Sequence, residues 1–146
     1  AGSEGMIGGQ VIDLNVEYQN EEHSLEKLHS LKTGALFTAS LRSGAILGGM
    51  DANGLTALTD YARHFGLAFQ ITDDILDVDG DQSLLGKPVG SDEKNLKMTY
   101  TTCFGLGGAR EMARQEVEGC LQSLNGFGSE ADFLRSLAEY LLYRTY

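Results

Sequence analysis

Residues 66–81, GLAFQITDDILDVDGD, constrain this chain more than any other stretch. Wound as an α-helix at about 100° per residue from Gln70, Asp74 falls at about 40°, Asp77 at about −20° and Asp73 at about −60°. All of these polar groups therefore share one narrow face. Leu67, Ala68, Phe69, Ile71, Ile75, Leu76 and Val78 cover the remaining directions, so the helix is expected to be buried on most sides. A run of acids is ordinarily a solvated helix face, but these flanks are too apolar for that. Three ionised carboxylates within about one turn repel strongly at low dielectric and need cations, and their oxygens are the hard ligands that Mg²⁺ or Ca²⁺ prefers.

The rest of the sequence supplies a helical setting for that stretch. Its 146 residues suit one domain with a single core, and a lone proline, Pro88, with few alternating β-branched runs points to α structure. Nineteen glycines exceed the usual share of roughly 7% and suggest helices that approach closely. A formal charge of −10 argues against nucleic acid or an anionic membrane surface as partner. An anionic substrate would bind only where lysines and divalent ions reverse the local sign. Cys103 and Cys120 have no metal-ligand spacing and read as reduced thiols of a cytoplasmic protein. There is no signal segment and no apolar run of the roughly 18 residues a span requires, so no membrane insertion is expected.

Residues 3–18 carry Met6, Ile7, Val11, Ile12 and Leu14 at helical spacings, with Gly5 and Gly9 together on one side where another backbone can come near. Gln10 and Asp13 are neighbours on that helix and can meet a common partner. Ser24 and Lys27 form half a capping box. A long helix is expected from about Leu25 to Gly48, buried through Leu25, Leu28, Leu31, Ala35, Leu36, Ala39 and Ile46, and interrupted by Lys32-Thr33-Gly34. Asn53-Gly54 reads as a turn, followed by the acidic helix from about Leu55 to Val78. Residues 80–99, rich in glycine and without period, have the composition of a loop at a site. Two more helices are expected, about Tyr100 to Asn125 and Glu130 to Tyr143, separated by the stop NGFGS.

Several familiar sites can be excluded. An EF-hand counted from Asp77 would place Gln82 where Gly is required and Pro88 where Glu is required. GLGGAR, residues 105–110, ends in Arg110 and follows no strand, so it is not a dinucleotide loop. His23, His29 and His64 have no ligand spacing and read as surface or satisfied histidines. Lys87 and Lys97, in and just after the loop that leaves the acidic helix, are candidates to face an anion such as diphosphate. Lys32 is a similar case, with a snorkelling side chain as its ordinary explanation.

FQITDDILD, LHSLKTGALF and GMIGGQVIDL, with LGKPVGSDEKNLKMTY following and YLLYRTY at the end, resemble the trans-isoprenyl diphosphate synthases, the farnesyl and geranylgeranyl diphosphate synthase family. They look like that family's second aspartate-rich motif, Lys-Thr-Gly helix, glycine-rich helix and C-terminal helix, in the family's order. The resemblance implies an all-α orthogonal bundle of the isoprenoid synthase type, of which residues 1–146 would be the C-terminal half, in an intact enzyme that is usually a homodimer. It implies condensation of an allylic diphosphate with isopentenyl diphosphate, the departing diphosphate being held by Mg²⁺.

Carried over by position, Asp73 and, through water, Asp77 would serve Mg²⁺, with Asp74 supporting that shell. Lys32, Lys87 and Lys97 would contact the allylic diphosphate. Thr33 and Gln70 would line the cavity beside the developing cation, and Gln10 and Asp13 would act from behind. The family's first aspartate-rich motif and the arginine pair after it are absent from these residues, so the segment by itself is expected to be inactive. Arg144 stands where the family has a C-terminal basic residue near isopentenyl diphosphate. Two other readings compete: a non-catalytic partner subunit that modulates a full-length synthase, and an Mg²⁺-dependent diphosphate hydrolase.

Overall fold

The computed structural model describes residues 2–14, 30–79 and 98–144, without the side chains of residues 12–14. In chain order it contains α1 (Met6–Leu14), a wide π-type turn at Ser30–Gly34 running into α2 (Ala35–Leu47), α3 (Ala52–Asp79), α4 (Tyr100–Ser123), a 3₁₀ turn at Ser129–Ala131, and α5 (Asp132–Tyr143). No strand occurs among the described residues. Nor is any described helix long and apolar enough to cross a membrane.

The 28-residue α3, roughly 42 Å long, is the element against which the π-type turn, α2, α4 and α5 pack. Its start corrects the expectation of a turn at Asn53-Gly54. Asp51 caps the helix, its Oδ1 accepting from Gly54 N at 2.7 Å, and thereby draws both residues into the first turn. The break in the chain comes earlier, at Gly48-Gly49, where Gly49 takes φ 72°. Along α3, Leu58, Tyr61, Phe65 and Ala68 join Ala45, Val117, Cys120, Leu124, Ala138 and Leu141 in the larger core. Ile71 and Ile75 form a second cluster with Tyr100, Ala109 and Ala113 of α4. Val78, at 39% exposure, marks where the burial anticipated for this helix ends.

The stripe expected to bury the second helix is also corrected. Ala39 is exposed, Leu36 is 46% exposed and Ile46 is 59% exposed, while Phe37, Leu41 and Ala45 meet the core instead. Phe37, Leu41 and Ala45 recur every four residues and so share one side of α2, the side packed against α3. Leu25 and Leu28 of that expected helix, with the half capping box of Ser24 and Lys27, lie outside the described residues.

α4 begins on a reciprocal cap: Thr99 Oγ1 accepts from Thr102 N at 3.2 Å, and Thr102 Oγ1 accepts from Thr99 N at 2.8 Å. GLGGAR lies within this helix, bent at Gly105 where φ is 70°. Glu111, Arg114 and Glu118 stand on its exposed face.

α5 is fastened back onto the bundle by two polar links. Tyr61 Oη donates to Leu134 O at 2.8 Å, and burial raises the Tyr61 phenol's pKa well above its usual value. Arg135 donates to Leu124 O, Phe127 O and Gly128 O at 3.0, 2.7 and 2.8 Å, closing the turn between α4 and α5. Arg135→Met keeps much of the stem's packing and removes these charge-assisted bonds, so urea denaturation should show a loss of about 2 kcal/mol.

The cysteines make a second check on burial. Cys120 is fully buried, and desolvation pushes its thiol up to about 12, aided by the nearby Glu116 charge. Cys103 is exposed. A thiol reagent at pH 8 should titrate Cys103 within minutes and reach Cys120 only on unfolding, separating the two rates by ~10³ or more.

Candidate functional site

Two backbone contacts through glycine bring the site's elements together. Gly9 of α1 is buried against the Lys32 backbone, where an added Cβ would lie 2.7 Å from Lys32 Cα. Gly66 of α3 faces Gly34, and a Cβ there would lie 2.8 Å from Gly34 Cα. The Lys32-Thr33-Gly34 turn is therefore held between α1 and α3 with no side chain intervening. The close approach expected at Gly5 and Gly9 is present, since both are buried.

On its α1 side this turn borders a cavity of about 430 Å³, lined by Met6, Ile7, Gln10, Val11, Lys32, Thr33 and Leu36. Its wall is largely apolar, with Lys32 and Thr33 half-buried and Gln10 exposed among the lining residues. Thr33 Oγ1 donates to Gln70 Oε1 at 3.3 Å, which ties the cavity to the acidic face of α3. Gln70 in turn donates from Nε2 to Asp74 Oδ1 at 3.3 Å.

The three acids of that face occupy different environments. Asp74, 4% exposed, accepts at its other oxygen from Tyr100 N at 2.9 Å, so it also binds the first N–H of α4. Asp77 is buried at 2% exposure, whereas Asp73 is half-buried. A cation faces this row. Arg144 Nη2 donates to Thr72 Oγ1 at 2.7 Å and to Phe69 O at 3.0 Å, and its guanidinium lies 4.6 Å from the Phe69 ring centroid. Burial lowers the Arg144 pKa from its ordinary value, while the Asp73 charge opposes that shift. Asp79, which ends α3, is paired with Arg110 of α4 at 2.5 Å.

Among the expected site residues, Lys32, Thr33 and Gln10 come together on the cavity, Gln70 bridges from it, and Asp73, Asp74 and Asp77 follow along α3. Lys87, Lys97 and the Asp13 side chain lie outside the described residues. The Asp79–Arg110 and His64–Glu116 pairs join residues 31 and 52 positions apart, so no local spacing announces them. His64, with Nδ1 2.8 Å from Glu116, is a satisfied histidine as expected, while His23 and His29 lie outside the described residues. The role of Asp74 at the start of α4 was also hidden, although the Thr99–Thr102 cap signature locates that start.

No group of three or more His, Cys, Asp or Glu side chains suited to holding a metal occurs among the described residues. Asp73 and Asp77, one turn apart, remain compatible with Mg²⁺. That ion commonly takes only one or two carboxylates and completes its octahedron with water and substrate phosphate.

The architecture defines the class first: an all-α synthase fold in which a long acidic helix is set against a Lys-Thr-Gly turn. The chain belongs to the polyprenyl synthetase family, whose sequence pattern matches residues 3–140. It is 40% identical over 145 residues to a farnesyl diphosphate synthase of Geobacillus stearothermophilus, covering 99% of this chain and 49% of that one. It is 41% identical to the farnesyl diphosphate synthase of Escherichia coli, covering 99% of this chain and 50% of the relative. The crystal structure of an FPP/GFPP synthase from Zymomonas mobilis matches with TM-score 0.80 at 40% identity, over 96% of this chain and 46% of that one. The chain thus spans about half the length of the curated relatives it matches.

Proposed function

We propose that the whole protein is a prenyltransferase that condenses an allylic diphosphate with isopentenyl diphosphate, and specifically a farnesyl diphosphate synthase (geranyltranstransferase). The observation that carries this reading is the Thr33–Gln70–Asp74 bridge, which connects an apolar cavity bearing Lys32 to a row of acids of which Asp74 and Asp77 are buried. An apolar chain with an anionic head requires that combination. The names of the farnesyl diphosphate synthase relatives support it.

Asp73, and Asp77 through water, would hold Mg²⁺, which when bound neutralises charge developing on the departing diphosphate. Lys32, with Lys87 and Lys97, orients the allylic diphosphate and supplies fixed positive charge to its oxygens. Asp74 supports the carboxylate row, and Gln10 on the cavity lining, with Asp13, would assist the residues that touch substrate. Met6, Ile7, Val11 and Leu36 offer apolar surface to the allylic chain. Thr33 and Gln70 present oxygen to the side where cationic charge develops. The proton lost from the isopentenyl-derived carbon, whose C–H electron pair forms the new double bond, is taken up by an oxygen of the released diphosphate. The intact enzyme is read as a cytoplasmic homodimer of which residues 1–146 form the C-terminal part, and the two free cysteines suit a reducing compartment.

The test is product analysis of the full-length protein supplied with Mg²⁺, isopentenyl diphosphate and geranyl diphosphate. A C15 diphosphate is expected, with residues 1–146 alone giving little or none. Pyrophosphate released without elongation would overturn the reading in favour of a hydrolase. Absence of turnover combined with an altered product from a separate complete synthase would overturn it in favour of a partner subunit.

A further inference from the structure

Asp74 does more than sit beside two other acids. Both of its oxygens accept: Oδ2 from Tyr100 N at 2.9 Å and Oδ1 from Gln70 Nε2 at 3.3 Å. A carboxylate has no proton to give, so the Gln70 amide can meet it only with its NH₂. The amide oxygen then points the other way, where it accepts from Thr33 Oγ1 at 3.3 Å. Having donated its one proton to Gln70, the Thr33 hydroxyl has only lone pairs left for the cavity it lines. From these directions we infer that Asp74 is a positioning residue that fixes the hydrogen-bond polarity of a relay from the start of α4, through α3, to the Thr33 hydroxyl.

The relay has only one free choice, and Asp74 removes it. The Tyr100 backbone N–H cannot reverse, the carboxylate can only accept, and the glutamine follows. The consequence for catalysis rests on the prenyltransferase reading; the orientation itself does not. A hydroxyl that shows a lone pair stabilises adjacent cationic charge, and the same hydroxyl showing its proton opposes it.

Asp74→Asn reverses the relay with little change in volume. The asparagine oxygen must face Tyr100 N, which puts its NH₂ against Gln70. The Gln70 amide then flips, its NH₂ turns to Thr33, and the hydroxyl proton is released into the cavity. The first readout needs no turnover. In the full-length protein, NMR contacts from the Gln70 amide protons should run to residue 74 and Tyr100 in the wild type, and to the Thr33 methyl in Asp74→Asn. Wild-type amide protons contacting Thr33 would overturn the proposal whether or not the variant folds.

The second readout separates the relay from a role beside a metal. With geranyl diphosphate and isopentenyl diphosphate, Asp74→Asn should lower kcat about 100-fold with KM nearly unchanged. In a Thr33→Val background, where no hydroxyl remains to invert, it should lower kcat less than about threefold further. An undiminished Asp74→Asn effect in that background would overturn the proposal and assign the loss to the charge. A wild-type protein that elongates nothing but shows the expected amide contacts would sink the prenyltransferase reading and leave the relay standing.

Discussion

Gly66→Val is expected to destabilise the protein by about 3 kcal/mol, lowering Tm by roughly 6–12 °C. The added Cβ would lie 2.8 Å from Gly34 Cα and 3.4 Å from Gly34 N, so both obstacles are backbone and neither can rotate away. Behind them, Phe37 packs against Phe65 and Phe69 with ring centroids 4.9 and 5.6 Å apart, leaving little room for α3 to retreat. Gly66→Ala places the same Cβ but gains about 1 kcal/mol of helix propensity, so its net loss should be nearer 2 kcal/mol. Gly107→Ala is the control, because a Cβ there meets nothing within 4 Å. It should be neutral or stabilising by up to about 1 kcal/mol. Denaturant melts of the three variants decide the matter, and a Gly66→Ala protein as stable as Gly107→Ala would show that the backbones are not in contact. Forcing them apart also lengthens the Thr33–Gln70 bond, already 3.3 Å, so activity should fall further than stability.

That contact also shows what the sequence could and could not disclose. Periodicity located α3 and its acidic face because burial and spacing act within one helix, and the same logic identified Gly9 as a point of close approach. The pairing of Gly66 with Gly34 was less visible, since nothing local to either glycine names its partner. Asn53-Gly54 carried a real turn propensity that the Asp51 cap overrode, which is local chemistry of a longer reach than a dipeptide. On α2 the apolar residues fall on more than one side, and contact with α3, which no local spacing names, selects Phe37, Leu41 and Ala45. The links that hold the site to the bundle join distant segments: Arg144 to Phe69 and Thr72, Asp74 to Tyr100, Arg110 to Asp79. Such pairs arise from the packing of whole helices, so the residue types are legible in advance and their partners are not.

The acids themselves provide the sharpest division between architecture and chemistry. Asp74 binds two donors in the interior, so Asp74→Ala removes an N-terminal partner of α4 and leaves the Gln70 amide without its acceptor. That should cost about 2–3 kcal/mol. Asp73 is half-buried and sits among carboxylates that repel it, with the Arg144 charge as partial compensation. Asp73→Asn relieves repulsion and weakens that compensation, two changes of opposite sign, so Tm should move by no more than about 2 °C. On the proposed reading, turnover by the full-length protein should nonetheless fall ~10²- to 10³-fold, because a neutral amide would contribute far less to holding a divalent cation against the departing diphosphate. Raising Mg²⁺ should restore Asp77→Asn more completely than Asp73→Asn if the first acts through water and the second directly. Activity measured across a Mg²⁺ titration, beside a thermal melt of each variant, reads both predictions at once. Loss of stability with turnover unchanged in Asp73→Asn would make that acid a packing residue and remove it from the chemistry. Loss of turnover at unchanged Tm is the signature of a group that serves the reaction and not the fold.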